Sequence, residues 1–307
     1  MAAKGSRVYG YVCIRYFRLN VPSPFVDTDW LQEHLSSPDI CVVDGSWYLP
    51  HMQRNAHEEF LGIHIPGAVY FDLDEIADTS TDLPHMVAAP QEFAKMVGNL
   101  GIRDTNTVIV YDSAGLFSAP RVWWNFKIMG LKNCFVLRGG LPKWIKENRQ
   151  TSSDASMPLP RPFTAKPALR SIVGRGEIQS ISGAKPASNQ VQIVDLRPAM
   201  RFAGLQEEPR PGLRSGYMPN SINLPFTDLI VDGNLIGSQD IIKRLNEVGI
   251  DLNRPIIASC GSGVTAPILC LALAKIGIDA MRVYDGSWAE WAMQNNGPVI
   301  GADGALI

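Results

Sequence analysis

The sequence predicts an α/β fold of two tandem domains, each a parallel sheet flanked by helices. Three observations carry this. A chain of 307 residues has room for two cores at roughly 100–200 residues per domain. Landmarks of the first half return in the second half in the same order. In each half a short β-branched run is followed by a helix-like stretch: VIVY at 108–111 precedes APRVWWNFKIMG at 119–130, and PIIAS at 255–259 precedes APILCLALAKIG at 266–277. Such near-continuous apolar runs suit strands buried on both faces, and strands that each feed a helix imply a parallel sheet.

Residues 1–24 form a basic N-terminal arm. Lys4, Arg7, Arg15 and Arg18 occur before the first acidic residue, Asp27. That composition suits a mitochondrial import segment, with a cytoplasmic location as the alternative. Residues 25–149 form the first domain. Residues 150–170, rich in Ser and Pro without apolar periodicity, form a linker, and residues 171–307 form the second domain.

The repeat has four landmarks. ICVVDGSWY at 40–48 is matched by VQIVDLRPA at 191–199, placing Asp44 and Asp195 151 residues apart. IPGAVYFDL at 65–73 parallels MPNSINLPF at 218–226. VIVYDSAG at 108–115 parallels IIASCGSG at 256–263, so Asp112 stands where the second half has Cys260. FVLRGGLPKW at 135–144 parallels RVYDGSWAEW at 282–291. One order at nearly one offset reads as a tandem duplication.

Composition excludes several classes. Lys plus Arg is 28 and Asp plus Glu is 30, a net charge of −2 that gathers no nucleic acid. The longest nearly apolar run, Val264 to Ala274, falls short of the ~20 residues of a membrane span. Five scattered cysteines with no C-x-x-C pair argue against a disulfide framework or a structural zinc site; the cysteine chemistry read below needs no metal or organic cofactor.

The chemistry concentrates at Cys260-Gly261-Ser262-Gly263-Val264-Thr265, between a strand and a helix. A glycine-rich loop can turn its backbone N–H groups inward, and a helix N-terminus adds its positive dipole end, so a thiolate at Cys260 is favoured. Cys260 is the candidate nucleophile; Cys270, among Leu269, Leu271 and Leu273, reads as core. All five histidines lie in the first half, which excludes a Cys–His pair within the second domain. Ala266 stands where a cysteine phosphatase's C-x₅-R motif would carry its arginine, so phosphatase chemistry is not expected.

The two half-chains, with VVDGSWYLP, HIPGA, GLFSAPRVWW, YDGSWAEW and above all CGSGVTA, resemble the two-domain rhodanese family, and within it the 3-mercaptopyruvate sulfurtransferases. Thiosulfate-type members carry Arg and Lys directly after the cysteine, where this chain has Gly261 and Ser262. The resemblance implies a catalytic second domain and a first domain without a nucleophile. It also implies substrate-binding arginines in MRFAGLQEEPRPG, namely Arg201 and Arg210, and a Ser-His-Asp constellation of Ser262, His85 and Asp74 across the domain interface. Gly261, Gly263, Val264 and Thr265 would line the substrate. The implied function is transfer of sulfur from a small-molecule donor, 3-mercaptopyruvate, through a Cys260 persulfide to thioredoxin, another thiol or cyanide. Three alternatives stand beside it: preference for thiosulfate, a persulfide carrier serving a protein partner, and a non-catalytic interaction module.

Overall fold

The computed structural model describes residues 23–154, 158–183 and 191–307. The basic arm, apart from its last two residues, lies outside the described residues, as does part of the linker. The first domain contains β1 (Phe25–Val26), β2 (Ile40–Asp44), β3 (Val69–Tyr70), β4 (Thr107–Tyr111) and β5 (Cys134–Leu137), in the spatial order β1-β5-β4-β2-β3. The second domain contains β6 (Ile172–Val173), β7 (Gln192–Asp195), β8 (Ser221–Asn223), β9 (Ile230–Val231), β10 (Asn234–Leu235), β11 (Ile256–Ser259) and β12 (Val283–Tyr284). Its main sheet has the order β6-β12-β11-β7-β8, and all pairings in both five-stranded sheets are parallel.

The repeat read from the sequence is therefore a repeat of topology. It extends to single bonds: the Asp112 carbonyl accepts the Leu141 N–H at 3.1 Å, and the Cys260 carbonyl accepts the Trp288 N–H at 3.0 Å. The central strands β4 and β11 are apolar because both faces are covered, and all four residues of β11 are buried. Asp112 and Cys260 lie directly beyond their carboxyl ends, where open parallel sheets bind ligands.

The helix Pro267–Lys275 is buried from Pro267 to Leu273, which is why its sequence is apolar all round rather than striped. It packs against the first domain's helix Ala119–Ile128. Trp124 Nε1 crosses the same interface to donate to the Met281 carbonyl at 2.7 Å. The antiparallel hairpin β9–β10 turns through Asp232 and Gly233, both with positive φ, and seats its tip on the first domain. A Cβ on Gly233 would lie 3.2 Å from the Gly115 Cα, so the approach requires glycine there. The linker is tied to the first domain rather than free: Arg161 and Lys166 donate backbone bonds to Gly98 and Met129, and Phe163 is buried against Phe93 and Phe126. Among the described residues, no helix is long and apolar enough to cross a membrane.

Candidate active site

Cys260 is 2% exposed and its backbone is fixed from behind. Its N–H donates to Ser287 Oγ at 3.2 Å, and the Gly261 carbonyl accepts the Ala289 N–H at 2.8 Å. Among the described residues, no protein acceptor takes the backbone N–H of any residue from Gly261 to Ala266. The first domain shows what such a loop binds. There the Asp112 carboxylate accepts the N–H groups of Ala114, Gly115, Phe117, Ser118 and Ala119 at 2.7–3.1 Å. One loop thus carries its own anion, and its twin leaves the same donors for an anion at Cys260. Gly263 has φ +80°, and a Cβ there would lie 2.8 Å from the Asp285 carbonyl oxygen. A side chain at 263 would break the turn.

Both arginines approach this loop, in different states. Arg201, on the short helix Ala199–Phe202, pairs with the buried Glu208 carboxylate, and its Nη2 lies 3.2 Å from where a Gly261 Cβ would stand. Glu208 is itself held by Arg197 Nη1 at 2.7 Å, and Arg197 forks onto the buried Asp195 at 2.7–3.1 Å. Burial opposes the charge on Arg197, but Asp195 and Glu208 outweigh it and hold its pKa above the ordinary value. Arg210 makes no hydrogen bond or ion pair with any described residue. Burial lowers its pKa despite the favourable field of Cys260, and Arg201 acts in the same direction as burial. Arg210 is therefore a half-buried guanidinium with no direct partner among the described residues, although Asp74 and Glu208 also favour its charge from further away; a group of this kind can take a carboxylate.

From the first domain, His85 Nε2 lies 2.9 Å from Asp74 Oδ1, and Trp47 Nε1 donates to Asp74 Oδ2 at 3.1 Å. The hydrogen bond from His85 is the main reason the Asp74 pKa lies below the usual carboxylate value, although the side chain is 65% exposed. Of the expected constellation, His85 and Asp74 are brought together and His85 reaches Ser262 across the interface, but not at the Ser262 hydroxyl. His85 Nδ1 meets the backbone carbonyl of Ser262, at 3.2 Å, rather than its hydroxyl. The reason is geometric: Asp74 takes Nε2, which leaves Nδ1 as the nitrogen that faces the loop, and the loop presents a carbonyl there. Ser262 Oγ and Thr265 Oγ1 make no protein hydrogen bond among the described residues. His85→Ala should lower kcat by about tenfold and leave KM nearly unchanged, read by steady-state sulfur transfer; an unchanged kcat would remove His85 from the chemistry.

Comparison with known proteins decides the family. The model of the rhodanese-like domain matches residues 27–147 and again 182–294. The chain belongs to the rhodanese family. The 3-mercaptopyruvate sulfurtransferase of Escherichia coli (strain K12) is 38% identical over 277 residues, covering 90% of this chain and 97% of that one. The Arabidopsis thaliana protein named thiosulfate/3-mercaptopyruvate sulfurtransferase 1, mitochondrial, is 38% identical over 299 residues, covering 92% and 79%. The crystal structure of SseA from Escherichia coli, described as a 3-mercaptopyruvate sulfotransferase of rhodanese fold, superposes with a TM-score of 0.79 at 36% identity. It covers 87% of this chain and 99% of that one.

Within this rhodanese site, sequence reasoning passed over Arg197, Ser287, Trp47, Arg121 and Asp285. Arg197 had a local signal, since it follows by two residues the aspartate that ends β7. Its twin Ser46 bonds Asp44 in the same way, and without a guanidinium burial pushes the Asp44 carboxyl up to about 6. The first rhodanese domain also has a cavity of about 650 Å³ lined by Arg54, Glu59 and Ser113, beside a loop whose donors Asp112 already uses.

Proposed function

We propose that this rhodanese is a 3-mercaptopyruvate sulfurtransferase that uses Cys260 as its nucleophile. The observation that carries the reading is the row of backbone N–H groups from Gly261 to Ala266 that no acceptor among the described residues takes, beside a cysteine whose charge Arg210 favours while making no direct ion pair of its own among those residues. Arg210, with Arg201 beside it, binds the substrate carboxylate and its adjacent carbonyl. The Cys260 thiolate attacks the substrate sulfur, a new S–S bond forms, and the C–S bond breaks with its electron pair leaving on carbon. The products are the enolate of pyruvate, which takes a proton from water, and the Cys260 persulfide, which releases the former substrate thiol proton to water and becomes the anion. The loop N–H groups hold the persulfide anion as an oxyanion hole holds oxygen. An acceptor thiolate, on thioredoxin or another thiol, or cyanide, then attacks the outer sulfur and returns Cys260 as the thiolate.

Thiosulfate is the alternative donor, because two Arabidopsis thaliana relatives carry both donors in their names. It is a dianion, whereas this loop offers backbone dipoles and the hydroxyls of Ser262 and Thr265 rather than two added cations. Gly261→Arg combined with Ser262→Lys should shift relative kcat/KM toward thiosulfate by about tenfold or more, because ~1.4 kcal/mol suffices for tenfold. Rates on both donors at one ionic strength test this; an unchanged ratio would show that loop charge does not set donor choice. The basic arm supports a mitochondrial location, with the cytoplasm as alternative. The reading as a whole is tested by pyruvate formation from 3-mercaptopyruvate in the presence of a thiol.

A further inference from the structure

Arg121 is a first-domain residue with a side chain that is 0% exposed, yet its guanidinium reaches the cysteine loop of the second domain. Nη1 donates to the Gly263 carbonyl at 3.2 Å, and Nη2 donates to the His85 carbonyl at 2.5 Å and to Asp285 Oδ1 at 2.8 Å. Asp285 Oδ2 accepts the Val87 N–H at 2.8 Å. One buried ion pair therefore holds the 85–87 segment from two sides and ties it to the loop.

The loop's carbonyls explain why this matters. Those of Cys260 and Gly261 accept the Trp288 and Ala289 N–H groups; that of Ser262 meets His85 Nδ1, and that of Gly263 accepts Arg121 Nη1. In a trans peptide the C=O and the following N–H point in opposite directions. Anchoring these successive carbonyls on one side turns the N–H groups of Gly261, Ser262, Gly263 and Val264 to the other. The second domain supplies the first two anchors and the first domain the last two.

The ion pair is not part of the repeated fold. The second-domain position that corresponds to Arg121 is Ile268 or Leu269, and the first-domain position that corresponds to Asp285 is Arg138, which pairs with Asp27 at the surface. Stability does not account for it either: a buried ion pair is often no better than apolar residues of similar volume, and here Arg121 Nε has no hydrogen-bond partner among the described residues.

We propose that Arg121, held by Asp285, is a positioning residue for sulfur transfer that completes the anion cradle of Cys260 from the other domain. This rests on the sulfurtransferase reading above. The test uses Arg121→Lys, which keeps a charge opposite Asp285 but loses the planar fork, and Asp285→Asn, which keeps the shape and an acceptor for Val87. Each is assayed for pyruvate formation from 3-mercaptopyruvate and for the rate of Cys260 alkylation by iodoacetamide across pH. The expected result is a fall in kcat of about tenfold or more with KM little changed, because Arg201 and Arg210 are untouched, and an alkylation profile displaced to higher pH. If Arg121→Lys does not fold, Asp285→Asn carries the test. Folded variants with wild-type kcat and an undisplaced alkylation profile would overturn the proposal. A wild-type protein that forms no pyruvate, with variants whose alkylation profile still moves, would instead remove the sulfurtransferase reading and leave the cradle intact.

Discussion

Cys260→Ser abolishes sulfur transfer, to below about one per cent of the wild-type rate, while the fold persists. The fold persists because the loop is held through backbone atoms: the Cys260 N–H and carbonyl keep Ser287 Oγ and the Trp288 N–H whichever atom ends the side chain. The activity is lost because a serine hydroxyl remains protonated at neutral pH and no other described thiol can substitute. Burial pushes Cys41 up to about 11 and Cys270 up to about 12, and it carries Cys134 higher still. Those thiols are protonated where Cys260 must work. Circular dichroism and steady-state pyruvate release check the two halves of the expectation. Turnover retained well above that level would sink the assignment of the nucleophile.

Arg210→Ala is expected to lower kcat/KM for 3-mercaptopyruvate by roughly tenfold to a hundredfold, mainly through KM. This corresponds to ~1.5–3 kcal/mol for a lost hydrogen bond to a charged group. Arg210 has no protein partner among the described residues, so its removal orphans no carboxylate, and the thermal midpoint should stay at the wild-type value. Arg201→Ala should also raise KM, but it takes one of two guanidinium partners from the buried Glu208 and should lower the midpoint as well. Steady-state kinetics and thermal melts of the two variants separate the roles. If both keep the wild-type KM, the substrate carboxylate binds elsewhere.

How far the site could be read depended on how local each signal was. The repeat, the central strands and the cysteine loop were legible because strand, glycine turn and helix start lie within about a dozen residues and obey simple periodicity. Cys270 read as core for the same reason and is buried. Arg201 and Arg210 could be assigned only through the family resemblance; by spacing alone they look like surface charges beside Glu207 and Glu208. The structure makes Glu208 a buried partner of two arginines, an arrangement that needs Arg197 and the end of β7 in place. Ser262 suggested a hydroxyl role, whereas the contact His85 makes is with its carbonyl, and no residue letter reports where a carbonyl points. Arg121 reads as one position in a helix. Its partners Gly263 and Asp285 lie 142 and 164 residues away, and only domain docking brings them to it.

The most direct measurement of the central claim is the mass of the protein after one equivalent of 3-mercaptopyruvate with no acceptor present, followed by peptide mapping. The account predicts one added sulfur atom on the peptide containing Cys260, formed in step with one equivalent of pyruvate and discharged when a thiol is added. Pyruvate release with no sulfur on Cys260, or sulfur carried on Cys41 instead, would contradict it.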